Sequence, residues 1–406
     1  MLTPDHPGYI PIVLPNDAAV LKQTPPLEAL MLSAVYSANP RMSDLVCNAR
    51  DSAATLLVDP KTAHFQFEGY MSMPDYRALP YSSGRHTLGT LWEPARFGRG
   101  EARRDLIDSV FAVQRELGAD IMLAPYFYVP HSEHAWLEVS RACATEAIAA
   151  SPDRPVGVPV TVDIDALIDS HHRARIAAVY TDIQAALFWV TIVNYDERRA
   201  DPRDACTVIS FVDTLAATGV PVVLSHVGRT GLLAIAVGAA GYAAGTCGLE
   251  THPRSFFREM MGSRPANSYY LHEGLVHTPV RTAEACLRLD EADRHPTCDC
   301  AACEGNTAIS LMVSRRLALH AVLRRLTEVD VLGAIDPQDR RAYLVDRFSR
   351  ARNRSQALTE ALEAKGPHRI SDGESHYLEV LSEAAGGPPA TIPSKDEPEG
   401  AGHPAW

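Results

Sequence analysis

Short, nearly continuous apolar runs recur along the chain: Leu30–Tyr36, Thr55–Val58, Ile121–Ala124, Val156–Val162, Leu187–Val193, Val220–Ser225, Gly241–Gly245 and Leu275–Val280. Each has the length of a strand buried on both faces. Between several of them lie segments with helical spacing of apolar positions: Arg103–Leu117, His134–Ala150, His171–Gln184, Asp204–Thr218 and Thr230–Gly238. Strands alternating with helices predict a mainly parallel sheet joined by right-handed crossovers. Eight such strands predict an α/β fold of the (β/α)8 TIM-like barrel type. A doubly wound open sheet is the rival architecture.

Polar residues follow these runs directly: Asp59, Tyr126, Asp163, Asn194 with Asp196, His226, and Glu250 with His252. In a barrel these positions form the rim at the carboxyl ends of the strands, where active sites sit. Asp59, followed by Pro60, Lys61, His64 and Gln66, is a candidate general base, with Asp163 or Glu250 as a second carboxylate. Tyr126, Asn194, His226 and Arg229 are candidate substrate contacts. Gly228 and Gly231 flank a turn whose amides, with Arg229, suit a phosphate. The plainer alternatives are that Asp59 caps a turn and that Asp163 and Asp165 cap the helix that follows. His131 and His134 have metal-like spacing, with Glu133 between them.

Composition narrows the function classes. The net charge of −12 excludes a globally basic nucleic-acid binder, so nucleic acid would need a local basic surface. The 7% aromatic content suits α/β packing better than a β sandwich. Eight cysteines in 406 residues are too sparse for a secreted disulfide scaffold. MLTPDHPGYIP lacks the basic and apolar regions of a leader, and a cytoplasmic protein is expected. Leu232–Leu249 carries no charge but is rich in Gly and Ala, which predicts a buried helix and strand rather than a membrane span. Walker A, GxSxG and HExxH motifs are absent, and no internal repeat is found.

Residues 1–280 read as the barrel. From Arg281 to about 365 the chain becomes a metal-binding and helical region, rich in arginine: Arg315, Arg316, Arg324, Arg325, Arg340, Arg341, Arg347, Arg350, Arg352 and Arg354. Such helices suit phosphate contacts, or equally a solvated face with Glu and Asp partners. The tail 386–406, rich in Pro, Gly and Glu, is expected to be disordered.

The segment HPTCDCAACEGN places Cys298, Cys300 and Cys303 within six residues. Three thiols so close converge on one ion if the backbone turns tightly, and zinc takes four sulfur or imidazole ligands. Cys286, His295 and His320 are the nearby options for the fourth. His320 lies in MVSRRLALHAVLRRL, a helical segment from which an imidazole projects back onto a preceding loop. A full cysteine and histidine set leaves no open position for water, so the expected zinc is structural.

This arrangement resembles the tRNA-guanine transglycosylase family, whose members are (β/α)8 barrels with a zinc subdomain late in the chain. CDCAAC matches the family's Cys–X–Cys–X–X–Cys motif, and LALHAVL is similar to its histidine segment, which makes His320 the expected fourth ligand. The gap from Cys303 to His320 is shorter than in the family. Upstream, ADIMLAP is similar to the strand carrying a guanine-recognition Asp, LLVDPKTAHFQF to the Asp-Ser-Gly-Gly-Phe-Gln segment, and GTCGLETH to a Cys-X-Leu-Pro-Thr-Arg segment. The resemblance covers roughly residues 50–330, and its specific part is the zinc motif. The family's nucleophilic Asp precedes that late Cys, whereas this chain has Thr246 before Cys247; the recognition Asp falls at Tyr126 or Phe127.

The resemblance implies a divergent transglycosylase-like protein that binds tRNA, other nucleic acid or a nucleobase, with pentosyltransferase-like base exchange through altered catalytic residues. Two other readings stand beside it: a non-catalytic subunit of a homodimer or heterodimer, and an unrelated barrel enzyme acting on a small metabolite.

Overall fold

A computed structural model of the protein describes residues 2–82, 91–246, 250–252, 268–293, 298–304, 306–313, 316–364, 370 and 372–386. His295, Cys247, Arg315 and nearly all of the tail 386–406 lie outside the described residues.

Nine parallel strands form one sheet: β1 Gly8–Ile12, β2 Leu27–Ser33, β3 Ala53–Asp59, β4 Met122–Leu123, β5 Tyr128–Val129, β6 Val156–Asp163, β7 Leu187–Val193, β8 Val222–Ser225 and β9 Gly241–Gly245. Neighbours run β3-β2-β1-β9-β8-β7-β6-β4, and the parallel bridge Leu57–Ile121 brings the two ends together. Eight strands thus make a TIM-type ring, and β5 extends the β4 position along β6.

Side-chain alternation sorts the strand residues into two cores. Ile10, Ile12, Ala29, Met31, Leu57, Leu123, Leu187, Trp189, Val223 and Ala243 fill the lumen. Their strand neighbours Tyr9, Leu30, Val58, Phe188, Leu224 and Tyr242 face the helical layer. Carrying the lumen parity to the carboxyl ends turns Ser33, Asp59, Thr161, Asp163, Thr191 and Ser225 inward. The hydroxyls of Thr191 and Ser225 meet there at 2.6 Å. The lumen is therefore apolar below and polar at its carboxyl-end mouth.

The first strand departs from expectation. GYIPI reads poorly as a strand because Gly and Pro both weaken a ladder, yet it closes the ring, with Gly8 opposite Gly241. A side chain at Gly241 would collide with the Gly8 carbonyl, so the seam needs a glycine on β9. Conversely, the run Leu275–Val280 is no ring strand. Val276–Pro279 (β11) pairs antiparallel with Ser268–Leu271 (β10) in a separate hairpin. An apolar run alone cannot tell a ring strand from a hairpin strand. The run Leu30–Tyr36 is also shifted: the strand ends at Ser33, and Ala34–Tyr36 is a 3-10 turn.

After β9 the chain leaves the ring for the hairpin, helix Val280–Asp293, the cysteine loop and helix Ala308–Val313. Helix Leu317–Gly333 then returns to pack on β1. Helices Arg340–Glu363 and Asp372–Gly386 pack on each other, and the latter on helix Pro202–Ala216. Arg229–Ala236 and β9 are a buried helix and strand, as expected from their uncharged sequence. Among the described residues no helix is long and apolar enough to cross a membrane.

Candidate functional site

The barrel mouth is built from strand ends held in unusual backbone. Lys61, Asn194 and His226 have φ of 54°, 63° and 59°. They follow β3, β7 and β8. Left-handed backbone at residues other than Gly is strained and persists where the surroundings fix it, commonly at binding sites.

Asp59 is buried and fully engaged. Its carboxylate accepts from the Lys61 amide and the Tyr126 hydroxyl, both at 2.8 Å, and pairs with the Lys61 ammonium at 2.8 Å. Burial would push this carboxyl up, but the Lys61 charge and these hydrogen bonds hold it below the ordinary range. Burial and Asp59 together push the Tyr126 hydroxyl well up, so it remains a donor.

Asp163 ends β6. It accepts from the Asn194 amide group at 2.8 Å, from the Tyr128 hydroxyl, and from the Asp165 amide at 3.1 Å. It therefore caps the next helix, as the plainer reading had it, and also faces the mouth with two side-chain donors.

His226 lies against His252, with ring centroids 4.8 Å apart, and His64 lies 6.3 Å from His252. All three are buried. Burial and the Lys61 charge push His64 down to about 3. Burial, then His226 and Lys61, holds His252 well below 6.5. The sequence singled out His226 as a candidate substrate contact but noted His64 and His252 only beside Asp59 and Glu250, and no spacing rule joins residues 64, 226 and 252.

Asp17 was not anticipated. It follows β1 and accepts from the Thr246 hydroxyl at 3.2 Å and the Leu14 amide at 2.9 Å. Burial raises its carboxyl above the usual range despite those two bonds. Thr246 thus has a carboxylate beside it, supplied by the neighbouring strand.

Two candidates sit elsewhere. Glu250 does not reach the mouth as a free carboxylate: it pairs with Arg325 and with His277 Nε2 at 2.9 Å, and Arg325 also meets His277 at 3.1 Å. This buried group joins the ring to the hairpin and to helix Leu317–Gly333. It lines a small cavity with Tyr242, Tyr270 and Glu328. Arg229 lies 3.7 Å from Glu197 and 4.5 Å over the Tyr377 ring. The turn amides considered for phosphate are already filled. Glu197 accepts from the amides of Gly228, Arg229 and Thr230 at 3.0, 3.2 and 3.2 Å. An internal carboxylate takes the anion's place at that helix start.

His131 and His134 lie with ring centroids 5.1 Å apart, and His134 Nδ1 caps a helix by accepting from the Trp136 amide. The arginine-rich helices mostly pair internally. Arg350 meets Asp346, Arg352 meets Glu379, and Arg340 and Arg347 bind backbone carbonyls.

The cysteine loop converges as the motif anticipates. Cys298, Cys300 and Cys303 Sγ lie 3.6, 3.3 and 3.2 Å from His320 Nδ1. All four ligand atoms fall within 4.8 Å of one another. Tetrahedral bonds of ordinary length would place sulfur and nitrogen about 3.6 Å apart. Outer partners complete the fit: His320 Nε2 meets the Tyr270 carbonyl at 2.8 Å, and Arg324 Nε donates to Cys298 at 2.9 Å. The cluster could hold a metal ion. Cys286 is buried apart from it.

No family model and no curated protein matches the chain. Among solved structures it is similar to 3-dehydroquinate dehydratase from Enterococcus faecalis, with 11% identity, TM-score 0.32, and coverage of 60% of this chain and 90% of that one. It is also similar to the carboxyl transferase domain of Rhizobium etli pyruvate carboxylase, with 12% identity, TM-score 0.36, and coverage of 94% and 77%. Likenesses at these scores carry no argument about chemistry, and the fold rests on the strand pairing above.

Proposed function

We propose that the chain is a divergent transglycosylase-like barrel, stabilised by a structural zinc ion, that binds a nucleobase-bearing ligand at its mouth and acts on the glycosidic bond. The observation that carries this reading is the placement of Asp59 and Asp163. Both are lumen-facing residues at the carboxyl end of the ring, each held by a tyrosine hydroxyl. As the C1′–N bond breaks, positive charge develops on the sugar, and the Asp163 carboxylate stabilises it. The electron pair leaves with the base, which needs a proton. Asp59 is held ionised and cannot give one, so the Lys61 ammonium that it anchors is the donor; an incoming base or water then bonds to C1′ and gives up its proton to the Lys61 amine. Zinc at Cys298, Cys300, Cys303 and His320 would tie the loop and hairpin to helix Leu317–Gly333, with no position left for substrate.

The test is base release or labelled-base exchange on nucleosides, nucleotides and tRNA. Asp163→Asn should lower turnover about a hundredfold or more. Absence of glycosidic activity on all of these, or an unaffected Asp163→Asn, would refute the reading. Ordinary guanine insertion into tRNA should be very slow, because Thr246 stands where related enzymes keep a carboxylate; robust insertion by the wild type would overturn that assignment.

A second reading is favoured by the saturation of Asp59: a non-catalytic binding subunit. It predicts base or nucleoside binding without turnover, unchanged by Asp163→Asn.

A further inference from the structure

The chain that follows Asp163 carries a group that the mouth chemistry does not use. Helix Ser170–Thr181 belongs to the crossover from β6 to β7, which run parallel, so it begins on the carboxyl-end side of the ring. Asp169 is its N-cap, and the carboxylate accepts from the His172 amide at 2.9 Å. His171 and His172 are then the second and third helical positions. Side chains of a helix lean toward its N-terminus, and the third position is the one from which a side chain reaches back to the cap. The cap thus gathers three side chains. One ligand atom from each of Asp169, His171 and His172 lies within 4.8 Å of the others. Asp169 and His171 are exposed, and His172 is half-buried.

We propose that Asp169, His171 and His172 form a second, exchangeable metal site that takes a late first-row dication such as Zn2+, Co2+ or Ni2+. The site stands apart from the mouth reading and uses neither Asp59 nor Asp163.

The donor set selects the ion. Two imidazoles and one carboxylate suit zinc, cobalt, nickel or copper, whereas magnesium and calcium take oxygen ligands. The geometry is close to what bonding needs. With bonds of ordinary length, ligand atoms on a tetrahedral ion lie about 3.4 Å apart, and two imidazole centroids about 5 Å apart. The His171 and His172 centroids lie 6.1 Å apart, and a small turn of these side chains closes the difference. Capping does not exhaust Asp169, because a carboxylate has about four lone-pair sites and can bond an amide and a metal together. Its negative charge also offsets the positive end of the helix. The cations nearby on the helix are engaged: Arg173 donates to the Leu167 carbonyl at 2.7 Å, and Arg175 pairs with Glu133 at 3.4 Å. Three protein ligands leave the ion an open position for water or another oxygen ligand. Exposure and the missing fourth ligand make this site weaker than the cysteine cluster, so it fills when metal is added.

The experiment titrates Co2+ and Zn2+ into the full chain, without an affinity tag and carrying the metal it retains on purification. Calorimetry and visible absorption are the readouts, and Mg2+ and Ca2+ are the controls. One further equivalent of Co2+ should bind, with weak d–d bands and without the intense bands of thiolate ligation. His171→Gln and His172→Gln should each weaken it at least about tenfold. Asp169→Asn should do the same while keeping the helix capped, because Asn caps as well as Asp. Circular dichroism and melting of the three variants confirm folding.

A further equivalent that is absent, or that binds equally to wild type and all three variants, overturns the proposal. So does one whose bands are those of thiolate ligation. So does one that Mg2+ or Ca2+ displaces at comparable concentration, which would mark an unselective acidic surface.

Discussion

His320 turns its Nε2 toward the Tyr270 carbonyl at 2.8 Å and its Nδ1 toward three sulfurs. The carbonyl accepts a hydrogen bond, so the proton resides on Nε2 and the Nδ1 lone pair faces the thiols. Hairpin strand β10 thereby sets the tautomer of a ligand on a helix fifty positions away in sequence.

This arrangement predicts about one zinc per chain in protein purified without added metal. Cys300→Ser and His320→Ala should each lose the ion and lower the melting temperature, because binding energy at such a site is folding energy. Cys286→Ser should keep the ion. Metal analysis with melting curves checks all three, and a metal-free protein of unchanged stability would contradict the assignment.

Glu250 should matter for stability rather than for chemistry. Glu250→Gln leaves the buried Arg325 guanidinium without its directly paired carboxylate, at a cost of about 3 kcal/mol. Pairing it with Arg325→Met should recover much of that loss. Denaturant midpoints of the single and double variants measure it; a fully stable Glu250→Gln would show that the buried pair is not the tie described.

Acid should weaken the fold from just below pH 6.5. His64 titrates at about 3 in the folded chain against 6.5 when free, and His252 lies well below 6.5. The unfolded chain therefore takes up protons that the folded chain refuses. Stability is fully present above 6.5 and falls as pH drops, by about 1.4 kcal/mol per pH unit for each such histidine. Asp59, lowered from 3.8, adds its own loss below that value. Urea midpoints from pH 8 to 5 should decline, and His64→Gln should flatten the slope.

Tyr377 donates to Glu197 at 3.2 Å and also meets Thr230, which docks the last described helix on the ring. Tyr377→Phe should cost about 1–2 kcal/mol and make helix Asp372–Gly386 an early site of limited proteolysis. Equal protease resistance would argue against this dock.

What the sequence revealed follows the range of its signals. The cysteine motif is local, and its three thiols meet as spacing alone implies. Strand ends locate the rim, because Asp59 and Asp163 follow apolar runs and share the lumen parity. Pairings across the chain left no such trace. Glu197 gives no hint that it fills the Gly228–Thr230 amides, and Glu250 gives none that Arg325 claims it. GYIPI hid a ring strand because its fitness depends on Gly241 opposite, not on its own propensity.

The seam between β1 and β9 governs how the protein is made. Strand β1 pairs early with β2 but waits roughly 230 residues for its other partner, Gly8 meeting Gly241. Its outer face waits longer, for the helix that bears His320. If the ion anchors that helix, a cell starved of it would hold chains with Tyr9 uncovered, which chaperones and proteases recognise. On the zinc-bound reading, metal supply sets the abundance of this protein at its birth, before any substrate is met.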